Sequence, residues 1–201
     1  AQLAAEGQAG RNHGAGQLLA SFAASPVVRS GNPASCGQFF QRLMVQNDQA
    51  YANFGLIAPN GDLVCAGVPP KAPTNIADRE YFGDVLRRRT LTVSTVTTGR
   101  ITGRSIVTYT LPVMDGDRLL GVVFASRDVD SLIASLARVN LPEGGVIAIL
   151  DRTGAIAARY PAIAVTAPTP RVTIPAEADG AVATLESDGA ADPPAAASIS
   201  S

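Results

Sequence analysis

The chain has 201 residues, a formal net charge of −1, 46% hydrophobic residues and 16% charged ones. That length spans one large domain or two small ones, and the composition is that of a chain with a buried core, not a disordered one. No basic stripe is longer than Arg87-Arg88-Arg89, which argues against nucleic-acid binding, and no run of about 18 apolar residues exists to cross a membrane. No signal peptide is visible, and an opening in Ala-Gln-Leu-Ala-Ala reads as a soluble fragment of a longer protein.

Residues 1–24 are rich in Ala, Gln and Leu and predict a helix, weakened by Gly7, Gly10, Gly14 and Gly16, with Leu18, Leu19 and Phe22 as its apolar patch. Ser25-Pro26 stops it, because the residue before proline is pushed out of helical geometry. Asn32-Pro33 then opens a helix over 34–46. Its Cys36, Phe39, Phe40, Leu43 and Met44 recur at helical spacing and form one buried stripe. A strand over 52–58, a turn at Pro59-Asn60-Gly61-Asp62 and a returning strand over 63–66 follow. Asn-Gly between two apolar runs is a strong hairpin signal, since both residues accept positive φ.

A Pro-rich loop over 68–73 leads to Asp78-Arg79-Glu80-Tyr81-Phe82, which opens a short helix running to about Arg88. Asp78 is its expected N-cap, and Glu80 places negative charge at the positive end of the helix dipole. Thr/Val-rich runs at 90–98 and 105–113 predict two long strands, separated by Gly99-Arg100-Ile101-Thr102-Gly103. A hairpin turn at Met114-Asp115-Gly116-Asp117 leads into a central strand over 119–127. Asp130 is the expected N-cap of a helix over 131–139 that turns Leu132, Ile133 and Leu136 inward. Hairpins joining consecutive strands make the sheet mostly antiparallel, so the fold class is α+β.

Residues 54–64 and 147–157 share a pattern: an apolar strand, a polar turn with glycine at the same offset, and a returning apolar strand. This internal repeat predicts two sheet modules in tandem. Beyond Pro161 the sequence turns Pro- and Ala-rich, with short strands expected at 171–174 and 181–186, so the second module is small or incomplete.

Arg79, at a helix start beside two aromatic side chains and above a sheet, is placed to hold a small anion; the alternative is a pair with a nearby acid, with Tyr81 and Phe82 as core. Cys36 and Cys65 have no metal-ligand partner at useful spacing, and His13, the lone histidine, is remote from both. They form a disulfide between helix and sheet if the compartment is oxidising, or remain two unrelated buried thiols. No Gly-x-Ser-x-Gly, His-Glu-x-x-His or phosphate-loop pattern occurs. Asp115 and Asp117 read as turn residues and Asp128 and Asp130 as cap residues, so neither a catalytic residue, a metal nor a cofactor is expected.

Taken in order, these pieces resemble the double Cache (tandem PAS-like, or PDC) family of extracytoplasmic sensor domains. The resemblance rests on the long N-terminal helix, the Asn60-Gly61-Asp62 hairpin, Asp78-Arg79-Glu80-Tyr81-Phe82 and Leu111-Pro112-Val113 before a turn. It continues through Gly121-Val122-Val123, Arg127-Asp128-Val129-Asp130-Ser131-Leu132 and the second-module opening Ile149-Leu150-Asp151-Arg152-Thr153-Gly154, and so covers about Leu18 to Arg159. It implies an N-terminal helical segment over 1–34, a membrane-distal module over 35–140 and a partial membrane-proximal module over 141–201. It implies the Cys36–Cys65 disulfide, and a periplasmic domain of an inner-membrane receptor flanked by transmembrane helices absent from this fragment. The output would be a histidine kinase first, or a chemoreceptor or diguanylate cyclase, and the full receptor a homodimer.

The resemblance also implies a small-molecule site in the distal module. Arg79 would hold a carboxylate, Tyr81 and Tyr109 would give a wall and hydroxyl donors, and Ser126 and Asp128 would meet the other end of the ligand; Phe82 is read as core. Amino-acid-binding members carry an upstream tyrosine, a tryptophan just after the arginine and an aspartate on the last strand. This chain has Thr74, Tyr81-Phe82 and Ser126 at the matching places, which favours a small carboxylate over an amino acid. The competing expectation is a structural or dimerisation module that answers to a protein partner.

Overall fold

The computed structural model describes residues 14–46, 51–136, 146–150, 156–160 and 182–185. They fall into two compact units that divide between Asp128 and Val129.

The first unit opens with helix α1, described over 14–24, which buries Ala15, Leu19 and Phe22. Ser25 is extended (ψ 125°) before Pro26, and the expected stop is followed by a short helix α2 (Pro26–Arg29) that the sequence reading lacks. Helix α3 (Pro33–Gln46) is capped by Asn32, whose Oδ1 accepts from the backbone N–H of Ala34 and Ser35, both at 3.1 Å. Of its predicted stripe, Cys36 and Phe40 are fully buried, and Phe39, Leu43 and Met44 are half-buried.

Strands β1 (Asn53–Ile57) and β2 (Leu63–Ala66) form the predicted hairpin. Only Gly61 takes positive φ in its turn, at 90°, whereas the sequence expectation gave Asn60 the same geometry. A Cβ at Gly61 would lie 2.7 Å from Ala77, so close backbone approach also demands glycine there.

Helix α4 (Glu80–Arg88) begins at Arg79, not at Asp78, and has no side-chain cap. The expected Asp78 cap is absent because its carboxylate is taken by the Arg100 guanidinium, at 2.9 and 2.8 Å. The run predicted as one strand over 90–98 is instead two short strands, β3 (Thr92–Val93) and β4 (Thr97–Thr98), both paired with β5 (Ser105–Asp115). Four steps from Val93 to Thr97 face three from Tyr109 to Ile106, so one extra residue is bulged out. Ser94 holds this bulge: its backbone N–H donates to the Thr108 carbonyl and its Oγ accepts from the Thr108 N–H. Strand β6 (Arg118–Asp128) returns from β5 through a two-residue turn with Gly116 at φ 57°.

The sheet order is β2-β1-β6-β5-β3, antiparallel throughout, with β4 also on β5. Residues directly opposite each other share a face. Phe54, Leu56, Val123 and Ala125 therefore lie on the side of α1 and α3, where Phe22 meets Phe40 at 5.2 Å and Phe54 at 5.3 Å, both edge-to-face. Cys65, opposite Leu56, is on this face and is bonded to Cys36 of α3, with a Cα–Cα distance of 5.9 Å. The other face carries Ile57, Val122 and Phe124 against Ile76 and against Phe82 and Val85 of α4.

The Phe124 ring lies over Gly55: a Cβ there would be 2.5 Å from both the ring and the Cys65 carbonyl oxygen. Because one of those neighbours is backbone of the paired strand, Gly55→Ala is expected to destabilise the unit by about 1–3 kcal/mol. A fall in the urea midpoint at unchanged slope checks this, and an unchanged midpoint contradicts it.

In the second unit, helix α5 (Val129–Leu136) follows β6 without a loop. Asp130 therefore sits inside its first turn and is not the N-cap that the sequence predicts. The predicted end near 139 is outside the described residues. Strands β7 (Val146–Leu150), β8 (Ile156–Tyr160) and β9 (Val182–Leu185) form a sheet of order β8-β7-β9. The predicted repeat extends to its irregularities: the β1–β2 register shifts between Leu56 and Ile57, and the β7–β8 register shifts at the matching Ile149 and Leu150. In both units the first strand of the hairpin is also flanked by an antiparallel strand from later in the chain, β6 for β1 and β9 for β7. The strand expected at 171–174 lies outside the described residues.

Candidate ligand-binding site

The face of the first unit opposite α1 and α3 holds a cavity of about 40 Å³. Its floor is built from alternate residues of the central strands: Asn53 and Ile57 of β1, Phe124 and Ser126 of β6, and Ile106 of β5. Leu63 on β2, with Thr74 and Ile76 on the loop before α4, closes one side, and Arg79 and Tyr81 stand at the helix start. The last wall is Thr97 and Thr98 of β4 with the loop Gly99, Arg100, Ile101 and Thr102.

Arg79 is half-buried. Its Nη1 donates to Thr97 Oγ1 at 2.9 Å and its Nη2 to the Thr98 carbonyl at 3.2 Å. Both acceptors are neutral, and among the described residues no carboxylate forms an ion pair with it. Two of the five guanidinium N–H donors are thus used, and among the described residues the charge has no ion-paired carboxylate. The neighbouring acid, Asp78, is committed to Arg100, which also donates to the Asn75 carbonyl. This clamp joins the 99–103 loop to the loop before α4, with Asp78 63% and Arg100 38% exposed. Its value to stability is small because solvent screens it.

The back of the cavity is neutral. Asn53 is buried, and its amide is spent on structure: Nδ2 donates to the Val68 carbonyl at 3.0 Å and Oδ1 accepts from the N–H of Val68 and Phe54. Ser126 Oγ lies 3.0 Å from Thr108 Oγ1, and both hydroxyls are buried.

Of the residues singled out from sequence, Arg79, Tyr81 and Ser126 come together at this cavity, and Thr74 joins them. Tyr109 does not line it. It is paired with Ala125, which puts it on the α1 and α3 face, out of phase with Ile106 and Thr108. Asp128 is in phase with Ser126 but is not among the lining residues, and its carboxylate lies 3.5 Å from Arg104 Nη1. Phe82 is core, as read. Sequence reading missed Arg100, Thr97 and Thr102. The signal available was Arg100 itself, a charged residue in a Gly-bounded loop between two strands.

Burial pushes the Tyr81 phenol above its ordinary value of 10.0, against the pull of the Arg79 and Arg100 charges, and burial does the same to Tyr51 against Arg127. The Arg100 hydrogen bonds hold the Asp78 carboxyl below its ordinary 3.8. The folded state therefore holds the tyrosine protons more tightly than the unfolded chain does. Stability is expected to fall as pH rises above 10.0, and Tyr81→Phe is expected to flatten that fall. On the acid side, Asp78 contributes stability above 3.8 that is lost as pH drops through its lower folded value. Denaturation midpoints across pH check both directions.

No protein-family model matches the sequence, and no curated protein matches it. Solved structures do. One is the extracellular domain of rpHK1S-Z16, described as a histidine kinase, at 21% identity and a TM-score of 0.63 over 74% of this chain and 63% of that one. Another is the ligand-binding domain of the Pseudomonas fluorescens chemoreceptor CtaA with L-serine, at 17% and 0.60 over 76% and 64%. A third is the ligand-binding domain of the Campylobacter jejuni chemoreceptor Tlp3 with 4-methylisoleucine, at 14% and 0.58 over 78% and 66%. The chain spans a little under two thirds of the length of these domains. It has the α+β fold of the Cache, or PDC, sensor domains of bacterial receptors. No described helix is long and apolar enough to cross a membrane.

Proposed function

We propose that the chain is the extracytoplasmic, periplasmic sensor domain of an inner-membrane signalling receptor, and that Arg79 binds a small carboxylate in the cavity of the first unit. The observation that carries this reading is a half-buried guanidinium at a cavity, bonded to neutral acceptors and without a carboxylate partner among the described residues. Such a group gains most from an anion that completes its hydrogen bonds in a charge-assisted pair. CtaA and Tlp3 were solved with amino acids bound, whose ammonium needs an acid. Among the described lining residues of this cavity there is no carboxylate, so the reading is a carboxylate ligand and not an amino acid.

In this reading residues 35–140 are the membrane-distal, ligand-binding module and 141–201 part of the proximal one. The domain does no chemistry itself, and passes a shift through a homodimer to a histidine kinase in preference to a chemoreceptor or cyclase output. A structural or dimerisation module would need neither the cavity nor an uncompensated Arg79. Thermal denaturation against small carboxylates, amino acids, sugars and amines separates the two. At about 100 times its dissociation constant a ligand adds about 2.7 kcal/mol. A rise confined to carboxylates supports the sensor, and a flat response across the panel supports the structural module.

A further inference from the structure

The Asp78–Arg100 clamp adds little to stability, yet both of the loops that carry it are held by their own hydrogen bonds. In the loop before α4, Asn75 Nδ2 donates to Asp62 Oδ1 at 2.7 Å and to the Asn60 carbonyl at 3.2 Å, and Asn75 Oδ1 accepts from the Ala77 N–H at 2.8 Å. The Asn75 carbonyl then accepts from Arg100 Nη1, the nitrogen that also meets Asp78 Oδ1. The 99–103 loop closes on itself: the Gly99 N–H donates to the Arg104 carbonyl and the Gly103 N–H to the Gly99 carbonyl, both at 2.8 Å. From that closed loop Arg100 takes both oxygens of the Asp78 carboxylate, the forked pairing that a guanidinium makes and an ammonium does not.

The clamp settles which of two guanidiniums holds this acid. Asp78 precedes Arg79 in the chain, and the Arg79 charge helps to lower its carboxyl, behind the larger effect of Arg100. The Tyr81 phenol feels the charges of Arg79, Arg100 and Asp78 together, so these side chains form one electrostatic group at the start of α4. Within the group Asp78 is ion-paired with Arg100, and Arg79 is left with Thr97 Oγ1 and the Thr98 carbonyl. Take Arg100 away, and the cation left beside Asp78 in this group is Arg79. The Asp78 side chain is 63% exposed, so packing does not hold it back from that exchange. An Asp78–Arg79 pair would occupy the N–H donors, and offset the charge, that a bound anion needs.

Resting on the reading of Arg79 as a carboxylate site, we propose that Arg100 is a positioning residue for it: by holding the Asp78 carboxylate it keeps that acid off Arg79 and leaves the Arg79 charge to an anion.

Two measurements on the wild type and its variants test this: calorimetric titration with propionate, and carbon NMR titration of the Asp78 carboxyl without ligand. Arg100→Gln is expected to weaken propionate binding by about fivefold, the upper range for one competing exposed ion pair. Adding Asp78→Asn to Arg100→Gln is expected to restore the affinity to within about twofold of the wild type, and Asp78→Asn alone to leave it there. Tighter binding by Asp78→Asn alone, or a double variant as weak as Arg100→Gln, means that Arg100 acts on the ligand itself and overturns the proposal. In Arg100→Gln the Asp78 carboxyl is expected to stay below 3.8, and adding Arg79→Gln to bring it back to that ordinary value. A return to the ordinary value in Arg100→Gln alone overturns the proposal and leaves the carboxylate reading of Arg79 standing. Failure of propionate to bind the wild type overturns the carboxylate reading and the effect on affinity with it, whatever the Asp78 titration shows.

Discussion

Arg79→Ala is expected to weaken carboxylate binding by at least about 100-fold while leaving the fold intact. Hydrogen bonds to a charged partner are worth about 1.5–3 kcal/mol each, and a desolvated anion stripped of a hydrogen-bonded ion partner loses about 2–5 kcal/mol. The cost to the fold is smaller. Arg79 gives up one bond to Thr97 Oγ1 and one to the Thr98 carbonyl, both on a short edge strand of two residues. Each neutral bond is worth about 1 kcal/mol, so the urea midpoint moves little. Arg79→Lys restores the charge but not the planar fork, and is expected to recover only part of the affinity. Paired titration and denaturation of the three proteins is the check. Equal affinities would show that the carboxylate sits elsewhere.

The second large effect is expected at the disulfide. Cys36 and Cys65 close a loop with a sequence separation of 29, and both are buried where α3 meets the α1 and α3 face of the sheet. Removing the cross-link frees the unfolded chain, which on the loop-entropy estimate costs about 3–4 kcal/mol. For a unit of this size that is a fall of about 10 °C in the unfolding midpoint. Cys36→Ser with Cys65→Ser, or reduction of the wild type, should show it in a scan. Because the bond lies on the face away from the cavity, affinity per folded molecule should be retained. A midpoint within 2 °C or so of the wild type would contradict the expected contribution.

What could be read in advance divides along the range of the interactions. The β1–β2 and β5–β6 hairpins and the repeated β7–β8 hairpin are set by turn residues and apolar runs a few positions apart, so they were legible. Arg79 was legible because a helix start, two aromatics and a family-like motif coincide there. The Asp78 cap was not, because local propensity lost to Arg100, 22 residues away in the chain. Tyr109 was misplaced for a different reason. Residues 106–110 are buried on both faces of β5, so no polar alternation marks which side meets the cavity. Arg100, Thr97 and Thr102 reach the site only because the 94–96 bulge and the 99–103 loop fold back over the sheet. That is a tertiary event with no periodic trace in the sequence.

The central claim is that a small carboxylate binds at Arg79 on the sheet face opposite α1 and α3. Two-dimensional amide NMR of the isotope-labelled chain, titrated with lactate and with propionate, tests it most directly. Saturable shifts are expected at 74–81, at 97–102 and at Ser126, with the helices over 14–46 unmoved. Saturable shifts centred on those helices or on the second unit, or no shift with either acid, would contradict it.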